Sequence, residues 1–308
     1  MPRIEVNGTV LNVTHLPQRR GQGGTPLLFV HGLAASSAFW YMAGAPLLAR
    51  LGDCLLYDLR GHGKSAVPDD GFGVTTMAND LLGLMDQLEL PRVHLVAHSF
   101  GGMISLLAAL KAPERVASLI LADVRVRPLQ QKLDLPVRKI PPRLAERLEK
   151  IGVEMQSISD QDDGIDYLKT VARIQLAAGE EANELLREIY HHPQLFRNRK
   201  TAEKWIALTE RASFVEDLKH GESFTARDLK ALTQPMLVMY GTRSTTGPSA
   251  QAISRLCRNS ILHPVPDVGH FFPMTQPRLF LRPAARFLRA VNAGRSSFPK
   301  TVGPLSRD

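Results

Sequence analysis

Residues Val93-His94-Leu95-Val96-Ala97-His98-Ser99-Phe100-Gly101-Gly102 run straight into Met103-Ile104-Ser105-Leu106-Leu107-Ala108-Ala109-Leu110. The first part is an apolar, alternating run, the pattern of a buried strand. The last part is rich in strong helix formers. Between them one serine sits in a small-x-Ser-x-Gly turn, and strand, sharp turn and helix together describe a nucleophile elbow. The small residues have a steric reason. The central serine takes a strained backbone conformation, and bulky side chains two positions before or after it would strike the strand and the helix. Those positions hold Ala97 and Gly101, with Ala where Gly is commoner. An ordinary turn with a capping serine is the plainer alternative; the strand-turn-helix context weighs against it.

Outward from this turn the same alternation repeats. Upstream, residues 26–30 and 54–57 read as buried strands, and 39–51 as a helix. Residues 75–90 carry Met77, Leu81, Leu84, Met85 and Leu88 at helical spacing and stop at Pro91. Asn7-Gly8, between strands at 3–6 and 10–16, is a strong hairpin signal. Downstream, 116–122 is a strand ending at Asp123. Apolar strands alternating with helices predict an α/β protein with a mostly parallel, doubly wound sheet of about eight strands. From Val124 to about Leu229 strand signals cease, and helical segments follow around 143–151, 165–178, 181–190 and 201–211. The alternation resumes with a strand at 235–241, a helix at 249–256, a short strand at 260–263 and a last helix at 277–293. The expected organisation is a core of residues 1–123 and 230–293, an inserted helical cap at 124–229, and a disordered tail at 294–308, rich in Ser, Pro, Gly and charge.

A chain of 308 residues, 44% hydrophobic and 22% charged, can bury a full core, as one large α/β domain with an insertion or as two smaller domains. No apolar run reaches the length of a membrane span, and residues 1–6 lack the apolar centre of a signal peptide. Cys54 and Cys257 make no disulfide framework, so a reducing cytoplasm is the expected location. Net charge is +8, yet no basic stretch is interleaved with aromatics and no nucleic-acid-binding motif occurs, so no nucleic-acid partner is expected. The charge is uneven. Residues 125–150 carry eight cations against three anions, and the balance reverses over 154–188. Two solvated helix faces account for this most simply; a basic rim for an anionic substrate or an acidic acyl-carrier protein is the sharper alternative.

Four motifs then fall in order: His31-Gly32-Leu33 after the third strand, the glycine-punctuated loop from Asp58 to Ser65, the Ser99 elbow, and Gly269-His270 before the last helix. Together they resemble the α/β-hydrolase fold superfamily over about residues 1–123 and 230–293. They are specific for the fold and far less so for the reaction, because this fold hosts many chemistries. The resemblance implies Ser99 as nucleophile and His270 as the base that takes its proton. It implies an oxyanion hole built from the backbone N–H groups of Leu33 and Phe100. His98 is expected to point into the elbow packing and is not assigned as the base. Asp58 and Arg60 are expected to pair, and His62 to be structural.

The third triad member departs from the common pattern. Most relatives carry an Asp shortly after the seventh strand; here residues 241–249 hold no carboxylate. Between Gly241 and His270 the only acid is Asp267, expected to cap or orient its own loop. Some members, haloalkane dehalogenases among them, place the acid after the sixth strand, where this chain has Asp123. Asp123 is therefore the favoured acid, with Asp267 or no acid at all as the alternatives.

Dehalogenases and epoxide hydrolases of this resemblance use Asp at the elbow, so Ser99 argues against both and for acyl chemistry on esters, thioesters, lactones or amides. The expectation is an esterase- or thioesterase-like serine hydrolase acting on a small-molecule acyl substrate. An acyltransferase or lactone-forming cyclase of the same fold, or a ligand-binding member without catalysis, are the alternatives. His31, Gly32, Phe39, Trp40 and Phe271 are the candidate substrate-pocket residues, with Phe100 and Phe272 beside them and ordinary core packing as the alternative. No cofactor motif is present. No metal spacing is present either, His191-His192 being an isolated pair.

Overall fold

The structure, a computed structural model, describes residues 2–18, 23–131, 142–153, 164–190, 199–220 and 224–298. Four central strands, β3 (Leu27–Val30), β4 (Cys54–Tyr57), β5 (Val93–His98) and β6 (Val116–Ala122), are buried along their whole length. A strand buried on both faces needs cover on both. Alternate side chains supply two cores accordingly: Leu28, Val30, Leu95, Ala97, Leu119 and Leu121 enter one, and Leu27, Phe29, Val96, Ile120 and Ala122 the other.

With β1 (Arg3–Val6), β2 (Thr9–Leu16), β7 (Met236–Gly241) and β8 (Ser260–Val265) these strands form one eight-stranded sheet, ordered β1-β2-β4-β3-β5-β6-β7-β8. The β1–β2 hairpin turns at Asn7 and Gly8, both with positive φ, and β2 pairs antiparallel to β4. All pairings from β4 to β8 are parallel. The loops carrying His31, Ser99, Asp123 and His270 therefore leave the same edge of the sheet, the carboxyl ends of β3, β5, β6 and β8, where α/β proteins build their sites.

The single helix expected over 39–51 is two, α1 (Ser37–Met42) and α2 (Ala45–Leu48). Gly44 between them has φ 95, and Pro46 follows in the first turn of α2, so the chain breaks and restarts. Helix α3 (Val74–Gln87) and the elbow helix α4 (Phe100–Lys111) lie where expected. Between β6 and β7 the described residues hold five α-helices and no strand: α5 (Pro142–Lys150), α6 (Ile165–Leu176), α7 (Glu180–Tyr190), α8 (Arg199–Thr209) and α9 (Ala212–His220). Helices α8 and α9 are tied to the loop after β4. Lys204 Nζ donates to the carbonyls of Gly63 and Ser65 at 2.9 Å each, and the Asp217 carboxylate accepts from the Phe72 N–H at 2.8 Å. Helices α10 (Gly247–Leu256), α11 (Phe272–Thr275) and α12 (Pro277–Asn292) complete the chain's cover of the sheet.

Two further expectations change. Arg60 pairs not with Asp58 but with buried Asp80 on α3, its Nε and Nη2 gripping the carboxylate at 2.6 and 2.7 Å. Asp58 instead collects the N–H groups of Ser37 and Lys64 and the Asn12 amide, donors that tie together three segments of chain. The tail is not wholly free. Phe298 is buried against Phe287 and its N–H bonds Asn259; residues 299–308 lie outside the described residues. In the basic segment Arg147 pairs with Glu181, Glu184 and Glu188 of α7, and Arg127 donates to the Leu218 carbonyl. Lys132, Arg138 and Lys139, together with Glu154, Asp160, Asp162, Asp163 and the His191-His192 pair, lie outside the described residues. Cys54 and Cys257 are buried and not joined in a disulfide, and burial pushes the Cys54 thiol up to about 12. Among the described residues no helix is long and apolar enough to cross a membrane, and no His/Cys/Asp/Glu group has metal-binding geometry.

Candidate active site

Ser99 stands at the junction of β5 and α4 with φ 53 and ψ −126, a conformation that L-residues avoid. The surrounding packing enforces it. A Cβ on Gly101 would lie 2.5 Å from the carbonyl oxygens of Val30 and His31, so the helix can approach β3 only with glycine there. A Cβ on Gly32 would lie 2.9 Å from Ser99 Cβ. At Ala97, buried within β5, a methyl is accommodated. Of six non-glycine residues with positive φ among the described residues, three lie at this site: Ala34, Ser99 and Asp123. Such concentration of backbone strain is typical of functional sites.

Ser99 Oγ lies 3.1 Å from His270 Nε2, and His270 Nδ1 lies 2.8 Å from Asp123 Oδ1. The three residues come from β5, the loop after β8, and the end of β6, up to 171 positions apart. Asp123 is fully buried. Its Oδ2 accepts from the Gly241 N–H at 2.8 Å, and its Oδ1 from Thr246 Oγ1 at 2.7 Å and from the Ser244 hydroxyl. Burial would raise this carboxyl's pKa, but the hydrogen bond and charge of His270, with the donors of Gly241 and Ser244, hold it below the usual carboxylate range. The carboxylate is thus ionised and orients the imidazole with its proton on Nδ1, leaving Nε2 bare toward the serine.

The loop lacking the usual acid has a different part. Residues 241–246 supply three donors to Asp123, a role that sequence reasoning missed. The signal was present as Ser244-Thr245-Thr246, but hydroxyls in a turn are too common to be assigned without knowing what they face. Asp267 lies apart: its exposed carboxylate is 3.4 Å from Arg243, and its N–H bonds Thr242 Oγ1 at 2.9 Å.

The other candidates divide by burial. His98 is buried, stacks on Phe39 with centroids 4.4 Å apart, and donates from Nε2 to the His270 carbonyl at 3.0 Å. Burial, then the neighbouring His270, lowers its pKa to about 3, so it is a neutral brace for the histidine loop. His31 is fully enclosed, donating to the Gly32 carbonyl and accepting from the Leu59 N–H, and Trp40 packs among Phe29, Phe39 and Phe280. Both were expected to line the pocket. With no exposed surface, His31 instead fixes the loop after β3 and Trp40 fills the core beneath it. Phe271 is half-buried with its ring 5.0 Å from His270. Leu33 and Phe100 are half-buried on the two loops that meet at Ser99. Phe100 is the first residue of α4, so its N–H is one of the helix's donors without an intrahelical acceptor. Chemically the arrangement can draw a proton from Ser99 and return it to a leaving group.

The chain is also similar to known proteins of this fold. Residues 25–151 match the alpha/beta hydrolase fold family. The chain is 30% identical over 277 residues to a putative carbamate hydrolase RutD of Variovorax paradoxus, covering 88% of this chain and 94% of that one. Among solved structures it is similar to a thermophilic esterase from Thermogutta terrifontis, 25% identical with a TM-score of 0.64 over 95% of this chain and all of that one (100%). It is also similar to a bacterial membrane phospholipase A, 22% identical with a TM-score of 0.70 over 94% and 86% of the two chains, a likeness of fold alone.

Proposed function

The chain belongs to the α/β-hydrolase superfamily, and on that premise we propose that it is a serine hydrolase cleaving a carboxylic ester or thioester through an acyl-enzyme. The Ser99–His270–Asp123 chain of hydrogen bonds carries this reading. In it, Ser99 Oγ attacks the acyl carbon while His270 Nε2 takes the hydroxyl proton. The N–H groups of Leu33 and Phe100 bind the oxyanion. The tetrahedral intermediate collapses, the carbon–oxygen or carbon–sulfur bond breaks, and the leaving group takes the proton from His270. Water, deprotonated by the same imidazole, then releases the acid and restores Ser99. Asp123 stabilises the imidazolium throughout without being protonated itself.

A hydrolase role is supported by the relatives' names; the ester or thioester rests on the serine chemistry alone. The Variovorax relative's name adds carbamates, the same carbonyl attack with a different leaving group, to the substrates worth screening. The helices between β6 and β7 serve as the cap over the site, and two buried cysteines outside any disulfide suit a reducing cytoplasm. A fluorophosphonate probe tests the proposal. Wild type is expected to label and Ser99→Ala not to. Absence of labelling in a folded wild type would favour the non-catalytic alternative. Product analysis with a competing alcohol or amine separates hydrolysis from acyl transfer.

A further inference from the structure

Between the loop after β4 and α8 lies a narrow cleft open to solvent. Its floor is His62, Trp205 and Leu208, all buried, and its rim Ala34, Ala35 and Lys204, all half-buried. Ala34 and Ala35 directly follow Leu33, so the rim is continuous with the loop assigned to the oxyanion hole. The floor is apolar except at two atoms. His62 Nδ1 lies 3.0 Å from the Arg60 carbonyl, which can only accept, so Nδ1 carries the proton and Nε2 presents a lone pair. That Nε2 is buried without a partner, and so is the Trp205 indole N–H. The two rings lie 5.9 Å apart, and Trp205 is held edge-on against Phe214 at 5.5 Å. Proteins rarely leave a buried donor and a buried acceptor unpaired side by side unless a ligand or water completes them.

We infer that this cleft is a subsite of the proposed serine hydrolase for a neutral hydrogen-bonding group on the acyl part of the substrate, a hydroxyl or primary carboxamide. That group accepts from Trp205 Nε1 and donates to His62 Nε2. The inference rests on the serine-hydrolase reading for its link to an acyl chain. Charged groups fit worse. A carboxylate has no proton for His62, and an ammonium would sit beside Lys204, whose Nζ is already held at the rim by backbone carbonyls. Burial, with His31 and Lys204 nearby, keeps His62 neutral, its pKa lowered to about 3, so its lone pair is available at ordinary pH.

The chain has two tryptophans, so protein labelled with ¹⁵N-tryptophan gives two indole N–H signals, and Trp205→Phe identifies which belongs to Trp205. Titrating Ser99→Ala with hexanamide is expected to move that signal downfield to saturation. 2-Heptanone, which accepts but cannot donate, should bind roughly tenfold more weakly. A Trp205 signal unmoved by hexanamide, or equal binding of the two, overturns the subsite and leaves only a bound water there. The acyl link is read from kinetics. Across 4-nitrophenyl esters of ω-hydroxy acids of three to eight carbons, one length should exceed its unsubstituted counterpart by roughly tenfold in kcat/KM, and Trp205→Phe should bring that ratio near one. A ratio indifferent to the hydroxyl at every length overturns the assignment to the acyl chain. If no ester turns over and Ser99 does not label, the hydrolase reading fails by itself, and the titration still decides the cleft.

Discussion

Replacing Asp123 by asparagine removes one charge at almost constant volume, and its effect follows from the four donors that converge there. The carboxylate accepts from His270 Nδ1, Thr246 Oγ1, the Ser244 hydroxyl and the Gly241 N–H. An amide offers one oxygen and one NH₂. Hydroxyls can rotate to accept, but the Gly241 N–H cannot, so the amide oxygen stays on Gly241 and the NH₂ faces His270. His270 must then present a bare Nδ1 and carry its proton on Nε2, where it points at Ser99 and cannot receive the hydroxyl proton. The expected loss in kcat is on the order of 10⁴-fold, about 5.5 kcal/mol of transition-state stabilisation. Folding suffers less. Hydrogen bonds to a charged acceptor worth roughly 1.5–3 kcal/mol are weakened, but an ionised group no longer has to be buried, so melting should fall by only about 5 °C. Steady-state hydrolysis of 4-nitrophenyl butyrate, with circular dichroism to verify the fold, measures both. A folded Asp123→Asn protein retaining kcat within about tenfold of wild type would refute the reasoning.

Ser244→Ala deletes one donor to the carboxylate and should lower kcat roughly tenfold with little change in KM; unchanged kinetics in both Ser244→Ala and Thr246→Ala would show that the loop does not orient Asp123. Gly101→Ala puts a methyl 2.5 Å from two backbone carbonyl oxygens. Calorimetry should show a loss of at least about 3 kcal/mol, and a melting point within a degree or so of wild type would contradict that close approach. Stability should also fall as pH drops from about 8 to about 5. Buried His62, His94 and His98 have pKa values lowered to about 3, 4 and 3, chiefly by burial. The unfolded chain, with histidines near 6.5, therefore binds more protons below that pH, costing about 2 kcal/mol per histidine at pH 5. Asp58 and Asp123, lowered in the fold, stabilise above the ordinary carboxylate range of roughly 4 and lose that only at lower pH, so they leave the interval flat. Urea unfolding at the two pH values gives the difference, and equal free energies would mean that these histidines protonate without opposing the fold.

Strand positions, the Ser99 turn and the order of motifs were legible in the sequence because each depends on neighbours a few residues away. Alternation assigns Leu27 and Leu28 to opposite faces of the sheet, and a glycine two residues after the serine permits the helix to close on β3. The break at Gly44 and Pro46 was equally local, a turn signal inside an apolar run, but the reading of one helix over 39–51 passed over it. Partner choice was not local. Spacing made Asp58 and Arg60 natural partners, yet Asp80 lies where the guanidinium fork reaches it and Asp58 is needed elsewhere. The sequence by itself determined that one serine, one histidine and an acid at a strand end were available. Only the tertiary structure decided which acid meets the histidine, because β6 beside β7 brings Gly241, Ser244 and Thr246 onto a carboxylate 118 to 123 positions away, and hydrogen bonds form by distance in space, on which spacing along the chain is silent.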